Sequence, residues 1–200
     1  MIDALADLRQ HYPEPSARAQ SKSIGHLDRH CRRFIELSPF VILATAGRDG
    51  QLDASPRGGG PGFVHYVDAH TLWLPDASGN NRLDSLSNII ETGRVGALFL
   101  IPGIDETLRL NGSARVRDDN EVLGAFPEER KPPRAVLEIT VQEVFLHCAK
   151  ALMRSKLWAD ESRQDRSVLP TMSEMLNDHT GLNQPLETKA EMRARYASDL

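Results

Sequence analysis

Three stretches of the chain combine residue types suited to holding an anionic or planar ligand. The first is Ser55-Pro56-Arg57-Gly58-Gly59-Gly60, an arginine at the end of a strand-like segment beside three glycines. Glycine lets backbone approach a ligand closely, and a guanidinium meets phosphate with a two-pronged fork. The second runs from Pro75-Asp76 through Gly79-Asn80-Asn81-Arg82. A strand ends there, and the spacing predicts a helix beginning at Asn81 or Arg82. Free first-turn N–H groups and the positive end of the dipole make such a start an anion site, and Arg82 adds a full charge. The third is His147-Cys148-Ala-Lys150-Ala-Leu-Met-Arg154, where Lys150 and Arg154 share a helix face at i and i+4.

Each stretch also has a plainer reading: a glycine loop with a surface arginine, an Asn-capped helix, and a solvated basic face. His147 and Cys148 are strand neighbours, so they point to opposite faces and lack a third orienting group for nucleophilic catalysis. His26 and His30 stand at i and i+4 without a further ligand, and no metal site is expected. Neither a GxGxxG fingerprint nor a GxxxxGK[ST] loop is present.

The elements that must position these residues read as follows. A short helix at Ile2 to His11 precedes a polar arm with Pro13 and Pro15. Leu27, Cys31, Phe34, Ile35 and Leu37 recur at helical spacing, with Arg29, Arg32 and Arg33 outward. Phe40 to Ala46 and Gln51 to Arg57 form a hairpin across Asp49-Gly50, with Leu52 and Ala54 on one face and Asp53 and Ser55 on the other. Phe63 to Val67 and Thr71 to Leu74 form a second hairpin. The next helix buries Leu83, Leu86, Ile89 and Ile90, and Gly93 ends it. Strands follow at Val95 to Ile101 and Glu106 to Arg117, then a polar connection from Asp118 to Pro133. A last strand pair is expected at Arg134 to Thr140 and Val144 to His147. Helices are expected at Ala149 to Trp158, Thr171 to Asn177 and Pro185 to Tyr196. Six or seven antiparallel strands with a few helices point to a small barrel with helical additions.

Composition narrows the function. With 24 Lys and Arg against 28 Asp and Glu, net charge is −4, so no global basic footprint invites a nucleic acid. Aromatic residues are sparse, at 6%, which argues against a base-stacking platform. Two distant cysteines fit neither a disulfide scaffold nor a Cys-based zinc site. The longest apolar runs are about seven residues, far short of the ~20 that span a bilayer. The N-terminus lacks a basic segment followed by an apolar core, so a cytoplasmic protein without a membrane partner is expected.

Phe40-Val-Ile-Leu-Ala-Thr45, Asp49-Gly50, Ser55-Pro-Arg-Gly58, Asn80-Asn-Arg-Leu-Asp-Ser-Leu86, Asn88-Ile89 and Arg94-Val-Gly-Ala-Leu-Phe99 follow one another in a particular order. That order resembles the pyridoxamine 5′-phosphate oxidase-like, FMN-binding split-barrel family, and in particular a bacterial subgroup of about 200-residue flavoproteins. These carry Ser-Pro-Arg-Gly after the first hairpin and His-Cys-x-Lys-Ala before a terminal helix. The resemblance covers roughly residues 27 to 158. It implies a mainly β fold with flanking helices: a six-stranded antiparallel split barrel, dimerised with FMN in the subunit interface. Residues 1–26 would be an N-terminal helix and arm, 27–158 the FMN-binding domain and 159–200 a helical extension.

On this resemblance Ser55, Pro56, Arg57 and Gly58 line the ring or ribityl side of the flavin. Pro75 and Asp76 touch ring or ribityl chain. Asn80, Asn81 and Arg82 take the phosphate, and Lys150 and Arg154 add cofactor contacts from one subunit or the other. The implied activity is an FMN-dependent oxidoreductase moving hydride between a small-molecule substrate or nicotinamide donor and the flavin. The alternative is a non-enzymatic carrier or sensor of flavin, deazaflavin or haem. The chain departs from authentic pyridoxamine phosphate oxidases at Ser55, where they place an FMN-binding arginine, and at Thr107, where they have glutamine. It also lacks their C-terminal Trp-x-Arg-Leu pattern. FMN binding is compatible with these changes; oxidation of vitamin B6 phosphate does not follow.

Overall fold

The computed structural model describes residues 1–77, 79–127 and 131–197. Two short helices, α1 (Leu5–His11) and α2 (Ala17–Ser21), lead into α3 (Arg29–Leu37). Strands β1 (Phe40–Ala46), β2 (Leu52–Gly58), β3 (His65–Asp68) and β4 (Thr71–Pro75) follow, then helix α4 (Asp84–Thr92). Strands β5 (Arg94–Leu100) and β6 (Thr107–Arg117) precede a one-turn helix, α5 (Asn120–Leu123), and strand β7 (Val136–His147). Helices α6 (Lys150–Ser155), α7 (Met172–Thr180) and α8 (Lys189–Tyr196) complete the chain.

All strands join one antiparallel seven-stranded sheet in the order β2-β1-β5-β6-β7-β4-β3. The expected mainly β fold with flanking helices is present. The strand count is seven, not six, and the edge strands β2 and β3 do not pair with each other, so the sheet is not closed. Burial alternates along β1 and β5 as period-2 patterning requires, with Val41, Leu43, Val95, Ala97 and Phe99 inside. Helix α3 packs against β3, β6 and β7, and α4 packs against β1, β2, β5 and β6.

Local chemistry explains the helix ends. The Asp28 carboxylate caps α3 by accepting from the N–H groups of His30 and Cys31 at 2.9 and 2.8 Å. Those bonds, Cys31 first, hold its carboxyl below the usual carboxylate range despite partial burial. Helix α3 buries Cys31, Phe34 and Ile35, and its C-cap Ser38 is buried as well, whereas Leu37 is exposed. The Ser38 hydroxyl lies 2.8 and 2.7 Å from the carbonyls of Phe40 and Leu100 and donates its single proton to one of them at a time, fixing the turn at Ser38.

The expected strand pair at Arg134 to Thr140 and Val144 to His147 is one continuous 12-residue strand, β7. The polar residues Gln142 and Glu143 imitate a turn in the sequence, but the structure absorbs the irregularity in a bulge. Asn111 of β6 faces Glu143, while the next residue, Gly112, faces Val141, so Gln142 is the extra residue. Glu143 accepts from the Asn111 amide at 2.6 Å and from the Ser23 hydroxyl at 2.8 Å. Ile24 exchanges backbone hydrogen bonds with Val144, so the N-terminal arm is fastened at this bulge.

Below the bulge, Glu138 accepts from Arg117, Arg115 and the Trp73 indole. Burial pushes its carboxyl up, but the bonds to Arg117, Trp73 and Arg115 outweigh this and hold it low. The network's contribution is therefore complete at neutral pH and is lost as pH falls through that lowered value. Among the described residues, no helix is long and apolar enough to cross a membrane.

Candidate functional site

A cleft of about 580 Å³ opens between β2, the loop after β4, the start of α4 and the segment before β7. Ser55, Arg57, Asp76, Asn80, Asn81 and Arg82 all line it, so the first two sequence stretches do converge. The hairpin between β1 and β2 explains the inner set: Asp53, Ser55 and Arg57 alternate inward along β2. Pro56 and Gly58 fall on the outer, exposed positions and are not among the lining residues. Pro75 is buried as the last residue of β4, and only Asp76 after it reaches the cleft. Lys150 and Arg154 lie outside this cleft, on α6 beyond the far end of β7, roughly 35 Å of strand from Val136.

The floor is a chain of polar contacts. The Ser85 hydroxyl donates to the Asp53 carboxylate at 2.5 Å, and the Thr45 hydroxyl approaches the same oxygen at 3.5 Å. The Asn88 amide donates to Thr45 at 3.0 Å. Arg57 donates to Ser55 at 2.8 Å and to Ser85 at 3.3 Å, which holds its guanidinium between β2 and α4. Among the described residues no carboxylate lies within ion-pair distance of Arg57. Asp76 is half-buried, and desolvation pushes its carboxyl above the usual range, with Arg57 opposing that shift. The Asp76 N–H donates to the Ala135 carbonyl at 2.9 Å, tying the loop to the start of β7.

The helix start differs from expectation. Helix α4 begins at Asp84, not at Asn81 or Arg82, because Asn81 and Leu83 both take left-handed backbone conformations, at φ 58° and 60°. Arg82 sits between these two bends, its N–H donating to the Asn80 side chain at 3.0 Å. Its Nε donates to Asp84 at 2.8 Å, and 72% of its side chain is exposed. Of the residues expected on the buried face, Ile89 is buried and Leu86 half-buried, whereas Leu83 and Ile90 are 51% and 74% exposed and Ser85 faces inward in their place. A left-handed leucine costs roughly 1–2 kcal/mol. Leu83→Gly is accordingly expected to raise stability by up to about 1 kcal/mol, read by urea denaturation. A loss of stability would show that the Leu83 side chain has an unseen packing role.

Sequence reasoning missed Asp53, Ser85, Lys131 and Arg134 as cleft residues. Asp53 was recoverable from its two-residue spacing to Ser55 and Arg57. Ser85 lies three residues beyond Arg82, in the first turn of α4. Lys131 and Arg134 lie in the polar connection before β7, where no periodic pattern marks a direction. His147 and Cys148, which the sequence already argues against as a catalytic pair, lie exposed at the end of β7. No histidine or cysteine is among the described residues that line the cleft.

The family model for pyridoxamine 5′-phosphate oxidase matches residues 27–148. The chain belongs to that family. The match takes in the whole sheet and the cleft, and leaves α1, α2 and the C-terminal helices outside. No curated protein matches the chain significantly. Among solved structures, the chain is 17% identical to HupZ from Group A Streptococcus, covering 60% of this chain and 92% of that one with a TM-score of 0.51. A putative pyridoxamine 5′-phosphate oxidase from Lactobacillus delbrueckii is 20% identical over 61% and 95% of the two chains, with a TM-score of 0.47. An FMN-binding protein from Syntrophomonas wolfei is 13% identical over 58% and 83%, with a TM-score of 0.45. At these identities only the HupZ likeness bears on the argument, and it speaks to the fold alone.

Proposed function

We propose that the cleft holds FMN and that the protein is an FMN-dependent oxidoreductase. The observation that carries this reading is Arg57, a guanidinium held by two serine hydroxyls with no ion-paired carboxylate among the described residues and facing a cleft of suitable size. The donor set fits a phosphorylated, hydroxylated cofactor. Arg57, Arg82, Lys131 and Arg134 supply positive charge, and Asn80, Asn81 and Ser55 supply hydrogen-bonding partners. Of the carboxylates present, Asp84 is ion-paired with Arg82, Asp53 accepts from the Ser85 and Thr45 hydroxyls, and burial pushes the Asp76 carboxyl above the usual range, opposed only in part by Arg57. Bound FMN would supply hydride chemistry at its ring, while the protein positions it and excludes competitors.

The family also contributes a second part of the proposal, a homodimer, in which α6 of one protomer carries Lys150 and Arg154 to the cleft of the other. The division into an arm (1–26), a flavin domain (27–158) and a helical extension (159–200) belongs to the same proposal. Because no histidine or cysteine is among the described cleft residues, none of them would ligate a haem iron. The test is anaerobic addition of a reduced nicotinamide to the flavin-loaded protein. Bleaching of the flavin that reverses with air supports an oxidoreductase; a flavin that stays oxidised with every donor supports a carrier or sensor instead.

Arg82 gives a graded check. Its exposure and its pairing with Asp84 limit what it adds to phosphate binding. Arg82→Ala should weaken FMN about three- to tenfold and riboflavin hardly at all. Asp84→Asn frees the guanidinium and should tighten FMN by a few fold. Equal losses for FMN and riboflavin in Arg82→Ala would remove Arg82 from the phosphate site.

A further inference from the structure

A second hollow of about 670 Å³ lies at the other end of α4, walled by Ile89, Ile90, Ala114 and Val116. It meets the cleft at Arg134 and Ala135, which line both. The cations around it are unequal. Arg117 is committed to Asp119, Glu121 and Glu138, and Arg115 to Glu138. Arg134 is exposed, and among the described residues no hydrogen bond or ion pair engages it. The carboxylates on the same walls are Glu91, which accepts from the Arg48 N–H at 3.1 Å, and Asp118. Ile90 offers an apolar wall that is 74% exposed.

An uncommitted guanidinium beside an apolar wall selects an organic anion, and the volume is that of a sizeable ligand rather than a small acid. The shared boundary lets one end of such a ligand enter the cleft while its anionic part stays outside. We propose that this hollow receives the dinucleotide portion of a nicotinamide hydride donor, with Arg134 on its pyrophosphate. The assignment rests on the flavin reading, since a hydride donor has a purpose only beside a hydride acceptor.

The test is isothermal titration of the purified full-length protein with oxidised NADP⁺, which binds without turnover, and with nicotinamide riboside, which lacks the pyrophosphate. Arg134→Ala should weaken NADP⁺ about ten- to a hundredfold, the range of one charge-assisted hydrogen bond, and change nicotinamide riboside by less than about twofold. Arg134→Lys should restore part of the loss. Ile90→Asp, on the same hollow but outside the cleft lining, should also weaken NADP⁺. The proposal is overturned by wild-type protein that takes up no NADP⁺ at about millimolar concentration, or by equal affinity in wild type and Arg134→Ala. It is also overturned by a loss shared equally by both ligands. A protein that binds NADP⁺ through Arg134 yet retains no FMN would instead overturn the flavin reading.

Discussion

Arg57→Ala is expected to weaken FMN binding roughly ten- to a hundredfold. A hydrogen bond to a charged group contributes about 1.5–3 kcal/mol, and each 1.4 kcal/mol is a decade in affinity. Arg57 ranks above Arg82 because it is more enclosed, it is pre-positioned by Ser55 and Ser85, and no ion-paired carboxylate among the described residues must be displaced to use it. Its removal also takes away the cation that opposes the upward shift of Asp76, so the Asp76 carboxyl should titrate at still higher pH in the variant. Riboflavin should lose affinity as well if the guanidinium faces ring or ribityl chain, unlike the outcome for Arg82→Ala. The fold should persist, since Arg57 is anchored only to hydroxyls and its own Pro56 carbonyl. Paired FMN and riboflavin titrations check this; unchanged FMN affinity would exclude Arg57 from the site.

Gly112→Ala should have the largest effect on stability. A Cβ at Gly112 would collide with the Thr140 carbonyl oxygen and crowd the Val141 Cα, both backbone atoms across the β6–β7 ladder. Backbone cannot rotate away as a side chain can, so either the bulge or the ladder must break. A cost of about 3 kcal/mol or more is expected, which for a chain of this size lowers the melting temperature by roughly 6–12 °C. Gly60→Ala is the control: nothing lies within 4 Å of a Cβ there, and the change should stay within about 0.5 kcal/mol. A Gly112→Ala melting point within about 2 °C of wild type would mean that the bulge can move to accommodate the methyl group.

The contrast between β2 and β7 shows what the sequence could convey. Along β2 the alternation of Leu52 and Ala54 against Asp53 and Ser55 is local, and it divides outer from inner positions as the structure does. The same alternation sets Pro56 and Gly58 outside the cleft lining, although the family motif that drew attention to them is contiguous. Along β7 the polar pair Gln142-Glu143 reads as a turn, because the partners of Glu143, Asn111 and Ser23, are brought up only by the tertiary fold. The helix start at Asp84 was illegible for a related reason. Two left-handed residues that are not glycine carry no reliable sequence mark, and such strain persists only where surrounding structure imposes it. Arg134 is invisible locally for the opposite reason: nothing around it is periodic, and only the start of β7 beside Asp76 gives it a cavity to face.

FMN in the cleft around Arg57 is the proposal on which the other expected binding outcomes depend. The most direct measurement is the visible spectrum of purified protein after incubation with FMN and removal of the free cofactor by gel filtration, for wild type and Arg57→Ala together. Flavin absorption is expected to be retained near one FMN per chain in wild type and largely lost in the variant. Colourless wild-type protein, or flavin retained equally by both, would contradict the proposal.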